Sequence, residues 1–207
     1  MTGSTVLAVL LCLNSAVATE KQPMRTLFDF SNPNAAKFWQ AVNDGVMGGL
    51  SEGDFAIAKR GQLEFTGSLS LENNGGFASV RARSSKLKLK DGDSIVLRVR
   101  GDGRTYLLQL YVPTRKIAYS YRSEFKTVKD KWLEVELPLD KFVATWFGRE
   151  VETAEKVKPP EVTGIGLMLA DKQAGPFKLV VEWIKTGMPT KNEIAVSAKP
   201  RSKRNEN

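Results

Sequence analysis

The sequence predicts an all-β domain, an antiparallel sandwich or barrel, on three observations. Short runs alternate apolar and polar residues, the period of a half-buried strand. They recur at intervals of about 8–12 residues, as the strands of sandwiches and barrels do. No run keeps an apolar period of 3.6 over three turns, so no long amphipathic helix competes.

The elements follow in order. TLFDFS (26–31) alternates as a strand, and Asn32-Pro33-Asn34 turns the chain. Residues 35–40 fit a short helical turn with Trp39 packed inward. Gly45, Gly48, Gly49 and Gly53 punctuate a loop before DFAIAK (54–59). Lys59-Arg60-Gly61 leads into QLEFTGSLSL (62–71), where Leu63 and Phe65 share a face. FASVRAR (77–83), SIVLRVRG (94–101), TYLLQLYV (105–112), KIAYSYR (116–122) and KWLEVELP (131–138) are the next strands. VTGIGLML (162–169) and FKLVVEWIKTG (177–187) complete the set. Residues 148–160 are charged, end in Pro159-Pro160 and read as a surface loop.

Composition removes several chemistries. The 207 residues include no His and one Cys. A Ser-His-Asp or Cys-His relay, an imidazole metal ligand, a disulfide framework and an iron–sulfur cluster therefore have no residues to build on. The net charge is +8. Residues 191–207 hold five bases and two acids, so +5 remains on the folded body, with the signs interspersed. That favours a solvated basic surface over a phosphate-binding stripe, and no nucleic-acid partner is expected. Residues 189–207 are expected to be a disordered basic tail.

The N-terminus carries an apolar run, Val6–Leu13, followed by Ala16-Val17-Ala18. An apolar run with an A-x-A site is the secretory pattern. A signal peptide over 1–18, cleavage after Ala18 and export to a periplasmic or secreted location are expected. The single thiol, Cys12, lies inside that run.

Four stretches are dense in turn formers. WQAVNDGVMGGLS (39–51) clusters glycines where backbone must lie close to something. SLSLENNGGFASVRAR (68–83) places Asn73-Asn74-Gly75-Gly76 between two strands, as in a hairpin turn. Arg100 to Tyr106 holds Asp102 and Arg104 on either side of Gly103 in a hairpin-like turn. The fourth is IGLMLADKQAGPFKLVVEWI (165–184). Asn43, Asp44, Asn73 and Asn74 form a polar binding patch at one end of the sandwich, or they cap turns through side-chain-to-backbone bonds. Arg81, Arg83, Arg98 and Arg100 alternate on two strands, and they line a polar face with Gln109 and Tyr111 or an ordinary solvated one. Asp102 and Arg104 are a ligand pair, an ion pair or a turn cap. Trp132 and Trp183 read as core, from apolar neighbours two positions away such as Val181. Trp146, between Phe142 and Phe147, is either the best exposed aromatic or packed inward.

These four motifs, in this order, resemble the complex I intermediate-associated protein 30 family. Phe28-Asp29-Phe30 and the stretch from Phe125 to Trp132 extend the match to about residues 26–187. The resemblance implies a galactose-binding-like antiparallel β-sandwich, a jelly roll. It also implies an assembly-chaperone role of the kind the mitochondrial members have toward respiratory NADH:ubiquinone oxidoreductase. Some relatives carry a fused dinucleotide-binding domain, but no strand–GxGxxG–helix unit occurs here.

The functional expectation is a non-catalytic binding or assembly module acting through contact with a protein partner, membrane-associated or soluble. A secreted carbohydrate-binding module is the alternative. A carboxylate hydrolase would need two acids facing across a cleft. The candidate binding residues are Asn43, Asp44, Asn73, Asn74, Arg81, Asp102, Arg104 and Trp146; no catalytic residue and no cofactor are expected, and the sequence leaves a metal open.

Overall fold

The alternating runs fold as thirteen strands. In chain order they are β1 (Arg25–Asp29), β2 (Trp39–Ala41), β3 (Glu52–Ala58), β4 (Gln62–Leu69), β5 (Ala78–Arg83), β6 (Ser94–Arg100) and β7 (Thr105–Tyr111). There follow β8 (Ser120–Lys126), β9 (Trp132–Pro138), β10 (Val143–Trp146), β11 (Arg149–Glu150), β12 (Gly164–Leu169) and β13 (Gly175–Gly187). The structure, a computed structural model, describes residues 24–83, 87–113 and 120–188. The leader over 1–18, the tail over 189–207 and the first half of the strand expected at 116–122 lie outside the described residues.

Two antiparallel sheets pack face to face. One has six strands in the order β3-β4-β13-β6-β9, with β1 also on β13; the other has seven, β11-β10-β8-β7-β12-β5-β2. The inner faces are the apolar positions of each alternation. Leu63, Phe65, Leu97 and Leu179 come from the first sheet, and Val80, Leu108, Ile165 and Leu167 from the second, all fully buried. Each such side chain contributes about 1.5–3 kcal/mol on leaving water. The sheet-on-sheet core is that of a galactose-binding-like β-sandwich.

Five segments differ from expectation, each for a local reason. β2, β10 and β11 are two to four residues long, too short for a period of two to stand out. The 73–76 segment is not a hairpin turn, because it carries the chain from β4 in one sheet to β5 in the other. Asn73 and Asn74 make that crossing in the left-handed region, at φ 54° and 57°, which asparagine tolerates. Residues 101–104 likewise cross between sheets, from β6 to β7.

The two tryptophans read as core lie on the outer face of the six-stranded sheet. In β13 the register slips between Val181 and Trp183. That bulge puts one extra residue on the strand and turns Trp183 outward although Val181 points inward. Trp132 has Glu134 two positions on, while Leu133, Val135 and Leu137 take the inner face of β9. Arg98 and Arg100 stand over the Trp132 ring at 5.4 and 5.2 Å, and the Lys185 ammonium lies 4.1 Å from the Trp183 ring. Trp39, by contrast, is buried against Phe28 and Phe30 as its sequence context suggests.

Candidate functional site

The outer face of the seven-stranded sheet forms the floor of a groove of about 1690 Å³. Its floor follows from strand register. Gln40 pairs with Arg81, Arg81 with Gly166, Gly166 with Gln109 and Gln109 with Arg122. Paired residues share a face, so this row runs across five strands on the groove side. Tyr111, Gly164 and Ser120 form the parallel row beside it.

Tyr111 anchors the floor. Its ring lies over β12, where Gly164 and Gly166 leave the space: a Cβ on Gly166 would sit 3.1 Å from the ring and 3.0 Å from the Val80 carbonyl oxygen. The hydroxyl donates to Gln109 Oε1, and the Arg81 guanidinium stacks over the ring at 5.2 Å. Burial pushes the phenol up to about 12, against the opposing pull of Arg81.

One end of the groove is built around Asp44. Its carboxylate is fully buried. Oδ1 accepts from the Ser51 backbone N–H at 2.9 Å, and Oδ2 accepts from Ser51 Oγ and the Gly76 N–H, both at 2.6 Å, and from the Phe77 N–H at 3.2 Å. Burial works against the charge, but these bonds outweigh it and hold the carboxyl below the usual carboxylate range. The clustered glycines now have a reason. A Cβ on Gly75 would lie 2.6 Å from Asp44 Oδ2, and one on Gly49 would collide with the same carboxylate. Asn43 acts beside it: Nδ2 donates to the Gly53 carbonyl at 2.8 Å, and Oδ1 accepts from the Ser79 N–H at 3.4 Å. Both side chains thus tie the 43–49 loop to its neighbours and face inward rather than into the groove.

The same end is closed by residues 170–173, which a second network fixes. Arg104 meets Asp171 through two bonds, Nε to Oδ2 at 2.9 Å and Nη2 to Oδ1 at 2.7 Å, with both side chains largely buried. It also donates to the carbonyls of Gln173, Gly175 and Pro176. Burial again opposes the Asp171 charge, and Arg104 overcomes it, so the carboxyl lies low. Asp102 accepts from the Tyr106 hydroxyl at 3.0 Å, the Lys178 N–H at 2.9 Å and the Arg104 N–H at 3.0 Å. Burial first, and then Asp102, push the Tyr106 phenol up. Asp102 therefore caps a turn, and the partner of Arg104 is Asp171.

The structure thus brings the predicted residues to one sheet in different roles. Asn74 and Arg81 line the groove; Asn73 stands exposed beside Asn74. Asn43, Asp44, Asp102 and Arg104 brace the loops at its end. Trp146 is 49% exposed and meets Phe147 edge-on at 5.0 Å, and it is Phe147 that lines the groove. Arg98 and Arg100, grouped with Arg81 in the sequence, lie on the opposite sheet.

Sequence reasoning missed the apolar rim. Val46, Met47, Leu71 and Phe147 line the groove while 73, 51, 47 and 74% exposed. Apolar residues set among glycines and asparagines, as Val46 and Met47 are, were the available signal. It also missed Arg122, whose period-two spacing with Glu124 puts both on the groove side. Among the described residues, no group of three or more acidic, Cys or His side chains converges to hold a metal ion.

The structure is thus a β-sandwich with a broad groove across one outer sheet face. The comparisons with known proteins identify it further. The family model for complex I intermediate-associated protein 30 matches residues 28–181, and the chain belongs to that family. The mitochondrial complex I intermediate-associated protein 30 of Mus musculus is 26% identical over 181 residues, covering 77% of this chain and 55% of that protein. The Drosophila melanogaster protein of the same name is 24% identical, covering 76% and 61%. A probable member from Caenorhabditis briggsae is 26% identical over 66% of this chain and 46% of its own. The chain spans about half the length of the curated relatives it matches.

Among solved structures, a family 11 carbohydrate-binding module from Clostridium thermocellum, in complex with a β-1,3-1,4-mixed-linked tetrasaccharide, aligns with a TM-score of 0.56. It is 15% identical and covers 79% of this chain and 94% of its own. An agarase aligns at 0.56 with 13% identity, over 82% of this chain and 25% of its own. At these identities the likeness shows the fold alone.

The expectation of export is overturned: the relatives from Mus musculus, Drosophila melanogaster, Caenorhabditis briggsae and Caenorhabditis elegans are named as mitochondrial proteins. The apolar leader that suggested export lies outside the described residues.

Proposed function

We propose that this chain is a non-catalytic, protein-binding module that acts in mitochondria in the assembly of respiratory NADH:ubiquinone oxidoreductase, and that it engages its partner through the groove. The observation that carries the reading is the apolar rim. Four large apolar side chains from three loops stand about half exposed or more around one groove, and exposed apolar clusters mark protein contact surfaces. Family membership and the names of the relatives supply the process and the compartment.

Two features support contact over catalysis or sugar binding. Beside the groove Asp44 is saturated by donors, and in its lining Asp171 is held by Arg104, which leaves Glu124 without a facing acid among the described residues. A two-carboxylate hydrolase needs such a pair. A sugar-stacking floor needs an open ring face, and the Tyr111 face is covered by Arg81.

The test is co-purification of the full chain from mitochondria. The unaltered protein should bring down subunits of the respiratory complex. Met47→Glu/Phe147→Glu should lower that yield at least about fivefold, with thermal stability unchanged because both side chains are exposed. Undiminished capture by the variant, or no respiratory subunit in either sample, would overturn the reading.

A further inference from the structure

Arg98 and Arg104 each meet carboxylates, whereas the two arginines that line the groove meet none among the described residues. On the six-stranded sheet Arg98 meets Glu134 and Glu182, and behind the 170–173 loop Arg104 meets Asp171. Among the described residues Arg81 donates only to Ser79 Oγ at 3.2 Å besides stacking on Tyr111, and Arg122 only to the Gly148 carbonyl at 3.3 Å. Neither meets a carboxylate among the described residues. The internal stretches outside them, 84–86 and 114–119, contain no Asp or Glu to supply one.

Both guanidiniums stand on the same cross-strand row, with Gly166 and Gln109 between them. That row is three strand spacings wide, about 14 Å from Cα to Cα. An extended peptide rises about 3.3 Å per residue and returns to the same face every second residue. Residues four apart on such a peptide therefore point the same way about 13 Å apart, matching the two arginines. Lys172 adds a third cation to the lining, and with Asp171 neutralised the only opposing charge among the described lining residues is Glu124. The volume, about 1690 Å³, exceeds the roughly 300–1,000 Å³ of small-molecule sites.

We infer that the groove takes an extended, acidic polypeptide segment of the partner. It carries two carboxylates four residues apart for Arg81 and Arg122, and apolar side chains that rest on Met47, Leu71 and Phe147. This rests on the protein-binding reading above and names the chemistry of the segment bound. Discrete carboxylates suit the site better than a polyphosphate chain, because Glu124 would repel a continuous run of negative charge.

The experiment is fluorescence anisotropy of the full chain with a labelled nonapeptide of Val and Ser bearing two Glu four positions apart. Saturable binding is expected, weakening as salt rises. It should fall about tenfold or more when both Glu become Gln, and equally in Arg81→Glu/Arg122→Glu. Arg81→Lys/Arg122→Lys should retain most of it. Lys59→Glu/Arg60→Glu, which changes net charge identically in the exposed β3–β4 turn, should leave it within about twofold. Absence of saturable binding to about 1 mM overturns the inference. So does equal loss in the Lys59/Arg60 control, or binding of a mixed-linked glucan tetrasaccharide in place of the peptide. Equal binding of the Gln peptide, lost on Met47→Glu/Phe147→Glu, overturns the acidic segment alone and leaves the protein-binding reading in place.

Discussion

At the scale of residues, Asp44 shows how a binding-like motif becomes a brace. One carboxylate joins three pieces of chain, the 43–49 loop, Ser51 and the Gly76–Phe77 backbone at the start of β5. Asp44→Ala would strand those donors in a buried site, a cost of more than about 3 kcal/mol, read by denaturant unfolding. The sign of its pH dependence follows from its lowered pKa, and Asp171 shares it. A carboxyl whose folded pKa lies below its unfolded value adds stability above the unfolded value, about 3.9. That stability is lost as pH falls through the folded value. Stability should thus be flat near neutrality and drop below about pH 4, and Asp44→Asn should shallow that acid limb. A limb unchanged in the variant would show that Asp44 does not carry it. The sequence flagged Asn43-Asp44-Gly45 as either ligand or cap, and could go no further. The Gly76 N–H that decides between them is 32 residues away, at the entry to β5, the strand that pairs with β2.

Among the elements, alternation made most strands legible, and its failures have local causes. Phe77–Arg83 announced β5 because Ala78, Val80 and Ala82 take one face. Trp183 misled because the β13 bulge breaks the period after Val181, and a bulge leaves no mark in residue type. β12 carries the feature most consequential for the site, since Gly164 and Gly166 are what let Tyr111 lie flat. Gly166→Val should lift the Tyr111 ring and displace Arg81, weakening partner capture severalfold while costing about 1–3 kcal/mol of overpacking strain. The ring's move is measurable as a fall of the Tyr111 ionisation from about 12 toward the ordinary tyrosine value in an alkaline titration. A titration identical to that of the unaltered chain would show that the glycines do not seat the ring.

For the whole molecule, the sandwich was readable from strand spacing and the family from four ordered motifs. The compartment was misjudged. An apolar run with small residues after it satisfies the secretory pattern on local composition, whereas the relatives are named as mitochondrial. The groove was only half legible. Arg81, Gln109 and Tyr111 could be grouped by period, but the rim comes from loops that only the two-sheet topology gathers. The two outer faces also differ in charge matching. On the six-stranded face Arg98 pairs with Glu134 and Glu182 and Lys178 with Glu64, with Arg100 and Lys185 over Trp132 and Trp183, while Arg81 and Arg122 on the other face meet no carboxylate among the described residues. The central claim, that the groove face docks a protein partner, is tested most directly by site-specific photo-crosslinking in mitochondria. One probe replaces Leu71 on the groove rim, and the other replaces Lys178 on the six-stranded face. Crosslinks to subunits of respiratory NADH:ubiquinone oxidoreductase from position 71 and none from position 178 are expected. Crosslinks from 178 with none from 71 would contradict the account.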